Sequence, residues 1–414
     1  MNVRIITIGD ELLIGQTTDT NSAHIASRLS DCGFRVTEMT TIGDEPDEIV
    51  RTFAGLQPEE RVVLLTGGLG PTRDDKTRQV LADLAGVKLE FHEPTWERIE
   101  RIMSRMGRRV TEGHKWQCML PQNASLLHNR LGSAPGIWME IDGRIWVALP
   151  GVPYEMKALL AEEVIPRLME RLTGEQVISH TLHTAGEVES ALADLLESFE
   201  DTLPKGFSLA YLPAPGRVRL RLTARGINPD ALQHDLDLYT QTLRTMLGDL
   251  VFGEGETSLA LELGRLISDN GLQISSAESC TGGYVSHLIT SIPGSSGWFP
   301  GSVITYSNEL KTKLLSVSTD TLKAHGAVSE QTVREMVAGL LPLCHADIGL
   351  AISGIAGPGG GSPEKPVGTV WIACGNREHT DTLKLTIGKD RLLNIEFVAF
   401  YALNFARLFV LKHY

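Results

Sequence analysis

Seven consecutive residues, Ala277-Glu278-Ser279-Cys280-Thr281-Gly282-Gly283, place a hydroxyl, a thiol and two glycines side by side. They follow an alternating, strand-like stretch at 272–276 and precede a stretch at 284–292 whose apolar spacing predicts a helix. A turn from a strand into a helix exposes its side chains and leaves the first N–H groups of the helix free. A nucleophile beside such donors is what acyl transfer requires. We therefore predict a nucleophile here, with an oxyanion hole formed by backbone N–H groups near Thr281, Gly282 and Gly283.

The turn offers two nucleophiles. Cys280 is intrinsically the more reactive, but a cysteine after a strand is more often a small buried apolar residue. Ser279 needs a base, and the candidate is Lys311, because a partly desolvated lysine can be neutral enough to take a proton. We favour Ser279. In the alternative interpretation, Ser279 and Thr281 only cap the helix.

Three more segments belong with this turn. Residues 302–308 predict a strand that runs into a helix and carry Tyr306, and residues 351–358 predict an apolar strand that carries Ser353 into a glycine-rich loop. Arg391 stands at the start of the predicted last helix. Each segment is a strand end or a helix start, so one face of a sheet could collect all of them.

The N-terminal third has a second group of candidates, in two loops that follow predicted strands. Loop 9–15 carries Asp10, and loop 66–76 carries glycines that would let the backbone approach a phosphate, with acids after them. Acids beside a phosphate site usually indicate a divalent metal. The spacings match neither a Walker A loop nor a GxGxxG fingerprint. Turns and caps are the alternative for either loop alone. The candidates are Gly67, Gly68 and Gly70 for the ligand, and Asp10 and Asp74 for the metal.

Repeated strand–helix units predict an α/β fold: two α/β domains with mainly parallel sheets, joined by a small α+β module. We place the domains at 1–173, 174–253 and 254–414. Residues 253–256, Gly-Glu-Gly-Glu, are the best linker candidate.

Composition limits the functional classes. The net charge of -13 argues against a nucleic-acid partner, which needs a basic face. No stretch predicts a membrane span, and residues 397–411 predict an amphipathic C-terminal helix. Five scattered cysteines without a CxxC pair fit a reducing compartment, and no signal peptide is expected at the N-terminus. We therefore expect a cytoplasmic protein.

The N-terminal motifs Gly-Asp-Glu-Leu-Leu-x-Gly and Thr-Gly-Gly-Leu-Gly-Pro-Thr-x-Asp-Asp resemble those of the competence/damage-inducible CinA family. The second loop is also similar to the molybdopterin-binding domain of molybdenum-cofactor biosynthesis proteins. The resemblance implies hydrolysis of ADP-ribose by a pyrophosphatase that depends on a divalent metal (Mg or Co) and potassium. It also marks Asp44 and Asp75 as important positions.

The C-terminal motifs Ala-Glu-Ser-Cys-Thr-Gly-Gly, Tyr-Ser-Asn-x-x-Lys and Ser-Gly-Ile-Ala-Gly-Pro, with a late arginine, resemble the C-terminal domain of the same family. That domain is similar to nicotinamide mononucleotide (NMN) amidohydrolase, which needs no cofactor. The resemblance implies that Ser279 is the nucleophile, Lys311 its base and proton donor, and Tyr306 a support for the lysine or the ring. Ser353 would hydrogen-bond the substrate, and Arg391 would bind its 5′-phosphate. A homodimer is expected.

Two functions stay open from the sequence. One is a bifunctional enzyme acting on NMN and ADP-ribose. The other is a non-catalytic pterin- or nucleotide-binding oligomeric scaffold with a degenerate C-terminal site. The joint presence of Ser279, Tyr306, Lys311 and Arg391 counts against degeneracy. A DNA-associated competence factor is disfavoured by the charge.

Overall fold

The structure, a computed structural model, describes residues 1–72, 75–171, 176–388 and 390–414. It divides into two compact units: Met1–Ser179 with Ala224–His234, and His180–Thr223 with Asp235–Tyr414. The α/β class is confirmed. The three-part division at 173/174 and 253/254 stays a prediction.

The first unit is built on a six-stranded sheet and a small two-stranded one. The strands are β1 (Asn2–Ile8), β2 (Arg35–Ile42), β3 (Glu60–Thr66), β4 (Leu89–Phe91), β5 (Met119–Pro121), β6 (Ser125–Leu127), β7 (Gly136–Ile141) and β8 (Arg144–Leu149). The large sheet has the order β2-β1-β3-β8-β7-β6, and β4 pairs with β5. The pairs from β2 to β8 are parallel, whereas β8/β7 and β7/β6 are antiparallel. The parallel half therefore brings the carboxyl ends of β1, β2, β3 and β8 to one edge, where ligands bind in such sheets.

Helices cover this sheet. They are α1 (Asp10–Leu13), α2 (Thr20–Asp31), α3 (Pro46–Ala54), α4 (Thr77–Leu84), α5 (Glu93–Arg105), α6 (Glu112–Gln117), α7 (Pro153–Leu159) and α8 (Ile165–Met169), with a π-helical turn at Leu160–Val164. The residues Val62 to Leu65 of β3 are buried, which explains why this strand is almost uniformly apolar. Strands β7 and β8 form a hairpin, and its turn residues Asp142 and Gly143 both have positive φ, 50° and 75°, as a two-residue turn requires.

The small α+β module comprises β9 (Gln176–Ala185), α9 (Glu189–Glu200), β10 (Phe207–Ala214), β11 (Arg217–Gly226), α10 (Pro229–Leu247) and β12 (Val251–Glu254). Its sheet has the order β10-β11-β9-β12. The linker prediction for 253–256 is wrong at its first residues, because Gly253 and Glu254 pair with His183 and Leu182 of β9. The His183 Nε2 atom also lies 2.8 Å from the Gly255 carbonyl oxygen, so this segment is held by the sheet.

The C-terminal sheet has the order β14-β13-β15-β16-β17. Its strands are β13 (Ile274–Glu278), β14 (Ser302–Ile304), β15 (Ile348–Gly354), β16 (Thr369–Gly375) and β17 (Thr380–Thr386). The helices are α11 (Leu259–Asp269), α12 (Tyr284–Thr290), α13 (Asn308–Leu315), α14 (Thr319–His325), α15 (Glu330–Cys344) and α16 (Arg391–His413). Only β14, β13 and β15 run parallel, and β16 and β17 are antiparallel additions. The parallel half carries the predicted nucleophile, base and glycine-rich loop at its carboxyl edge.

The last helix, α16, differs from the expected amphipathic helix. It is long and apolar enough to cross a membrane by length and composition, yet 56% of its most apolar window is buried inside the protein. Buried residues such as Ala399, Ala402 and Val410 belong to one core cluster with residues of β13, β15 and β16. A helix that is apolar on most sides is typical of a protein core, and this burial accounts for its composition.

Candidate active sites

Ser279 and Lys311 lie next to each other in the C-terminal unit. Ser279 directly follows β13, and Lys311 lies in the first turn of α13. The Lys311 Nζ atom is 3.0 Å from the Ser279 Oγ atom and donates a second hydrogen bond, of 2.7 Å, to the Thr305 carbonyl oxygen. Thr305 is fixed in turn, because its N–H group donates to the Glu278 carbonyl oxygen at 2.8 Å. The structure thus brings the predicted nucleophile and base within hydrogen-bond reach.

The electrostatics of Lys311 suit a base. The side chain is only 1% exposed, and burial lowers its pKa to about 8. With this pKa, roughly a tenth of the amine is neutral at pH 7 and about half at pH 8, so a base becomes available close to neutral pH.

Cys280 has the opposite environment. It is 6% exposed and packs into the hydrophobic core, and burial raises the pKa of its thiol to about 12. Since the thiolate is the nucleophilic form, Cys280 is inert near neutral pH. This environment agrees with the choice of Ser279.

The two glycines of the turn adopt left-handed backbone conformations, with φ of 62° at Gly282 and 101° at Gly283. Their N–H groups are already used. The Gly282 N–H donates to the Ser279 carbonyl oxygen at 3.2 Å, and the Gly283 N–H donates to the Glu278 carboxylate at 3.0 Å. These bonds compete with the expected role of Gly282 and Gly283 as donors to the substrate, which stays a prediction. Within the described chain, the N–H groups of Cys280 and Thr281 donate to no backbone carbonyl, so they are the donors that the turn still offers to a ligand.

Glu278 is the residue that the sequence analysis missed. Its side chain is fully buried, at 0% exposure. Its two carboxylate oxygens accept hydrogen bonds from the N–H groups of Gly283, Val285 and Ser286 and from the Ser286 hydroxyl, at 2.6 to 3.1 Å. A carboxylate at a helix N-terminus is favourable, and this one clamps the start of α12 and the glycine turn.

The remaining C-terminal candidates line one cavity of about 270 Å³ with Ser279 and Lys311. The Arg391 guanidinium donates to the Tyr306 hydroxyl at 2.8 Å and to the Gly357 carbonyl oxygen at 2.5 Å. Ser353 donates its hydroxyl to the Ala327 carbonyl oxygen at 2.7 Å, so its oxygen can only accept from a ligand. Tyr306 is thus held by Arg391, and this contact differs from the predicted one with Lys311.

The N-terminal glycine loop lies at the end of β3 and lines a cavity of about 370 Å³. Gly67 and Gly68 have positive φ, and a Cβ atom on either would lie 2.1 Å from the Ile8 carbonyl oxygen or the Thr77 hydroxyl. Buried Arg78, a second residue missed from the sequence, donates to the Leu69 carbonyl oxygen at 2.6 Å. It also donates to the Gly70 carbonyl oxygen at 3.1 Å, and burial lowers its pKa to about 10. These contacts hold the loop in place and leave it open to the cavity.

The predicted metal ligands do not form one cluster. The Asp10 and Asp44 carboxylates each accept from the other residue's backbone N–H, at 3.3 and 3.2 Å. The Asp75 carboxylate accepts from the N–H groups of Gly70 and Thr72, at 2.7 and 2.8 Å. Asp74 lies outside the described residues. Within the residues that are described, no three His, Cys, Asp or Glu side chains could hold a metal ion. Asp10 and Asp75 bind backbone groups instead, and the assignment of the four acids to a metal stays a prediction.

Comparisons with known proteins match three consecutive parts of the chain. The family description "Probable molybdopterin binding domain" matches residues 4–170, "Damage-inducible protein CinA KH domain" matches 179–253, and "CinA C-terminal domain" matches 256–410. A CinA-like protein of Cytophaga hutchinsonii is 39% identical over 403 residues, which cover 97% of this chain and 96% of that protein. A CinA-like protein of Flavobacterium psychrophilum is 39% identical over 416 residues and all of both chains. The chain belongs to the CinA family.

Among solved structures, a competence-damaged protein (CinA) superfamily protein of Klebsiella pneumoniae is 34% identical. It covers 37% of this chain and 96% of its own, with a TM-score of 0.37.

The Glu278 clamp gives the first testable prediction. Glu278→Gln replaces one acceptor oxygen by an amide NH₂ that must face N–H donors, so we expect the free energy of unfolding to fall by about 2 kcal/mol. Glu335→Gln is the matched control, because Glu335 likewise accepts from a backbone N–H, that of Ser318 at 2.7 Å, but is partly exposed. Urea unfolding followed by circular dichroism should show a clearly larger loss for Glu278→Gln. Equal losses would mean that the buried Glu278 contacts stabilise the fold no more than the partly exposed Glu335 contact does.

Proposed function

We propose that the C-terminal domain of this CinA-family protein is an amidohydrolase that converts NMN to nicotinate mononucleotide and ammonia. The observation that carries the proposal is the 3.0 Å contact between the Ser279 Oγ and Lys311 Nζ atoms, made by a buried lysine with a lowered pKa. A nucleophile with its base in hydrogen-bond reach is the minimum that acyl transfer needs.

The acylation step follows from this pair. Neutral Lys311 takes the Ser279 hydroxyl proton while the Oγ atom attacks the carboxamide carbon. The N–H groups of Cys280 and Thr281 would stabilise the negative oxygen of the tetrahedral intermediate. The Lys311 ammonium group then donates its proton to the amide nitrogen, the C–N bond breaks, and ammonia leaves an acyl ester on Ser279.

Deacylation reverses the roles. Lys311 takes a proton from a water molecule, the hydroxide attacks the ester carbon, and the proton returns to the Ser279 oxygen as nicotinate mononucleotide leaves. Only the chain and water take part, so no cofactor is needed.

The rest of the cavity suits the substrate. Two of the five N–H groups of Arg391 bind Tyr306 and Gly357, which leaves three donors for a 5′-phosphate. The Ser353 oxygen, which can only accept, fits the NH₂ of a carboxamide. The volume of about 270 Å³ is slightly below the roughly 300 Å³ at which typical ligand pockets begin, so it favours a small ligand over an extended one such as a dinucleotide.

The scaffold alternative is disfavoured by the same geometry. Burying a lysine beside a serine costs stability unless the pair has a use, because the charged amine loses its hydration. A degenerate site has no reason to keep this arrangement. We further propose a cytoplasmic homodimer without a nucleic-acid or membrane partner.

Ser279→Ala removes the nucleophile, and we expect ammonia release from NMN to fall by roughly 10⁴-fold or more. The neighbouring Cys280→Ala is the matched control and should keep most of the wild-type rate, since this thiol is protonated. Ammonia release is measured with an enzyme-coupled assay, and circular dichroism checks the fold of both variants. A wild-type protein without turnover would overturn the proposal, and loss of activity only in Cys280→Ala would reverse the choice of nucleophile.

The pH dependence tests the base. Protonated Lys311 cannot accept a proton, so kcat/KM for NMN should rise with pH and level off above the lysine pKa of about 8. Lys311→Arg keeps a positive charge that cannot be lost and should be inactive at every pH. A flat profile between roughly pH 6 and 9 would contradict the role of Lys311 as base.

For the N-terminal domain, we propose a pyrophosphatase that hydrolyses ADP-ribose to AMP and ribose 5-phosphate. The supporting observation is the glycine loop on the 370 Å³ cavity, because backbone without Cβ atoms lets phosphates approach closely. Asp44 and Glu11 line the same cavity. A divalent metal (Mg or Co) needs few protein carboxylates when substrate phosphates supply its other ligands. This agrees with the finding that the described part of the chain has no cluster of three metal-binding side chains.

In this proposal, Asp44 would hold the metal, which when bound neutralises charge on the pyrophosphate; potassium is expected to assist. Asp75 acts through the loop, since its carboxylate fixes the N–H groups of Gly70 and Thr72.

Asp75→Ala should therefore lower the rate of ADP-ribose hydrolysis by roughly 10²-fold, because a displaced phosphate loop misplaces the reacting group. Asp83→Ala, on the exposed side of α4, is the control and should leave the rate unchanged. AMP formation with Mg²⁺ or Co²⁺ is followed by chromatography. An unchanged rate in Asp75→Ala would show that the site assignment is wrong.

A further inference from the structure

The N-terminal cavity contains two buried polar side chains that the steps above do not use. Gln117 ends α6 and is 2% exposed, and Glu155 lies in the first turn of α7 and is 8% exposed. Both line the cavity that the glycine loop lines. Polar groups this deeply buried normally have hydrogen-bond partners, so their surroundings need an explanation.

The Glu155 carboxylate is held from one side. Its Oε2 atom accepts from the Asn129 Nδ2 atom at 2.6 Å. The Asn129 amide is itself fixed, because its oxygen accepts from the N–H groups of Leu131 and Gly132 at 3.1 and 3.0 Å. A Cβ atom at position 132 would lie 1.8 Å from the carboxylate, so the loop closes tightly around it. The carboxylate therefore has one defined orientation.

Glu155 nevertheless has spare acceptor capacity. Of the residues that the structure describes, only Asn129 donates to it, whereas a buried carboxylate usually accepts two or three hydrogen bonds. Arg98 interacts with its charge and donates instead to the Gly132 carbonyl oxygen, at 2.7 Å. The Glu155 carboxyl group is thus kept at the cavity wall with acceptor lone pairs left over.

Gln117 also has a buried acceptor atom to which no described residue donates. Its amide NH₂ donates to the Leu69 carbonyl oxygen of the glycine loop at 3.4 Å. Its Oε1 atom is buried and has no hydrogen-bond partner in the described part of the chain. Leaving such an acceptor unsatisfied costs about 1–3 kcal/mol, which a ligand donor would recover.

We propose that Glu155 and Gln117 form a subsite that recognises hydrogen-bond donors on the nucleoside part of the nucleotide whose phosphates lie at the glycine loop. This inference rests on the proposed pyrophosphatase function. Both free groups are acceptors, so they select O–H or N–H groups, such as ribose hydroxyls or an exocyclic amine, and disfavour a ligand that lacks them.

Binding to the full chain tests the subsite. Isothermal titration calorimetry compares AMP with two analogues. The analogue 2′-deoxy-AMP lacks a ribose hydroxyl and purine riboside 5′-monophosphate lacks the exocyclic amine, so the pair shows which of these groups the subsite binds. We expect one analogue to bind wild type roughly 10- to 100-fold more weakly than AMP, the range of a hydrogen bond to a charged group. Glu155→Gln should weaken AMP by a similar factor and largely abolish that discrimination. Glu11→Gln removes an equal charge from the same cavity and should keep the discrimination.

A second variant guards against misfolding. Gln117→Met deletes the unsatisfied acceptor at similar volume, so the melting temperature of the free protein should stay equal or rise, while AMP affinity falls roughly fivefold. Reduced affinity with an undiminished melting temperature is the signature of a ligand contact.

The outcomes separate the two proposals. The subsite is overturned if wild type binds AMP and both analogues equally. It is also overturned if Glu155→Gln keeps the wild-type discrimination and Gln117→Met keeps the wild-type affinity for AMP. Neither result affects the pyrophosphatase proposal if ADP-ribose is still hydrolysed. Discrimination that depends on Glu155 without any hydrolysis of ADP-ribose supports the subsite as a binding site and overturns the pyrophosphatase.

Discussion

The C-terminal site depends on a lysine amine that is kept out of water. Lys311 can bury its charged form only at a high desolvation cost, and the described residues offer its Nζ atom one carbonyl and one hydroxyl oxygen. The same burial that costs stability lowers the pKa to about 8 and makes the amine a base. The pairing of β14 with β13 and the Thr305–Glu278 backbone hydrogen bond fix the distance on which this depends.

A buried anion one residue before the nucleophile is the second requirement. The Glu278 carboxylate lies at the N-terminal end of α12 and accepts hydrogen bonds from four donors, so it holds the start of this helix against the turn. Because Glu278 accepts from the Gly283 N–H, the N–H groups of the turn fall into two sets. The later N–H groups hold the turn, and those of Cys280 and Thr281 remain for chemistry. The two glycines therefore shape the turn through their left-handed backbone and their own hydrogen bonds.

Local sequence patterns predicted most elements of the parallel halves, because buried strands are uniformly apolar and their helices carry caps. They failed where burial came from distant parts of the chain. Strand β17 is half-exposed and polar, so nothing marked it. The α16 pattern indicated one apolar face, whereas packing covers most of the helix. Ser279, Lys311 and Arg391 followed from motifs, but Glu278 and Arg78 were missed because side-chain bonds to backbone N–H or carbonyl groups leave no periodic signal.

The small module bears on the same site through α16. It matches a KH description, yet residues 174–256 contain no Gly-x-x-Gly, the loop with which KH domains clamp nucleic-acid backbone. The side chains of the module pack against α16 instead. The Arg217 guanidinium lies 5.9 Å from the Phe400 ring centroid, and Phe252 packs against the same ring. Buried Arg407 donates to the Asp249 carbonyl oxygen at 2.6 Å. Since Phe400 and Arg407 lie on the helix that begins at Arg391, the module holds the helix that places Arg391 at the cavity.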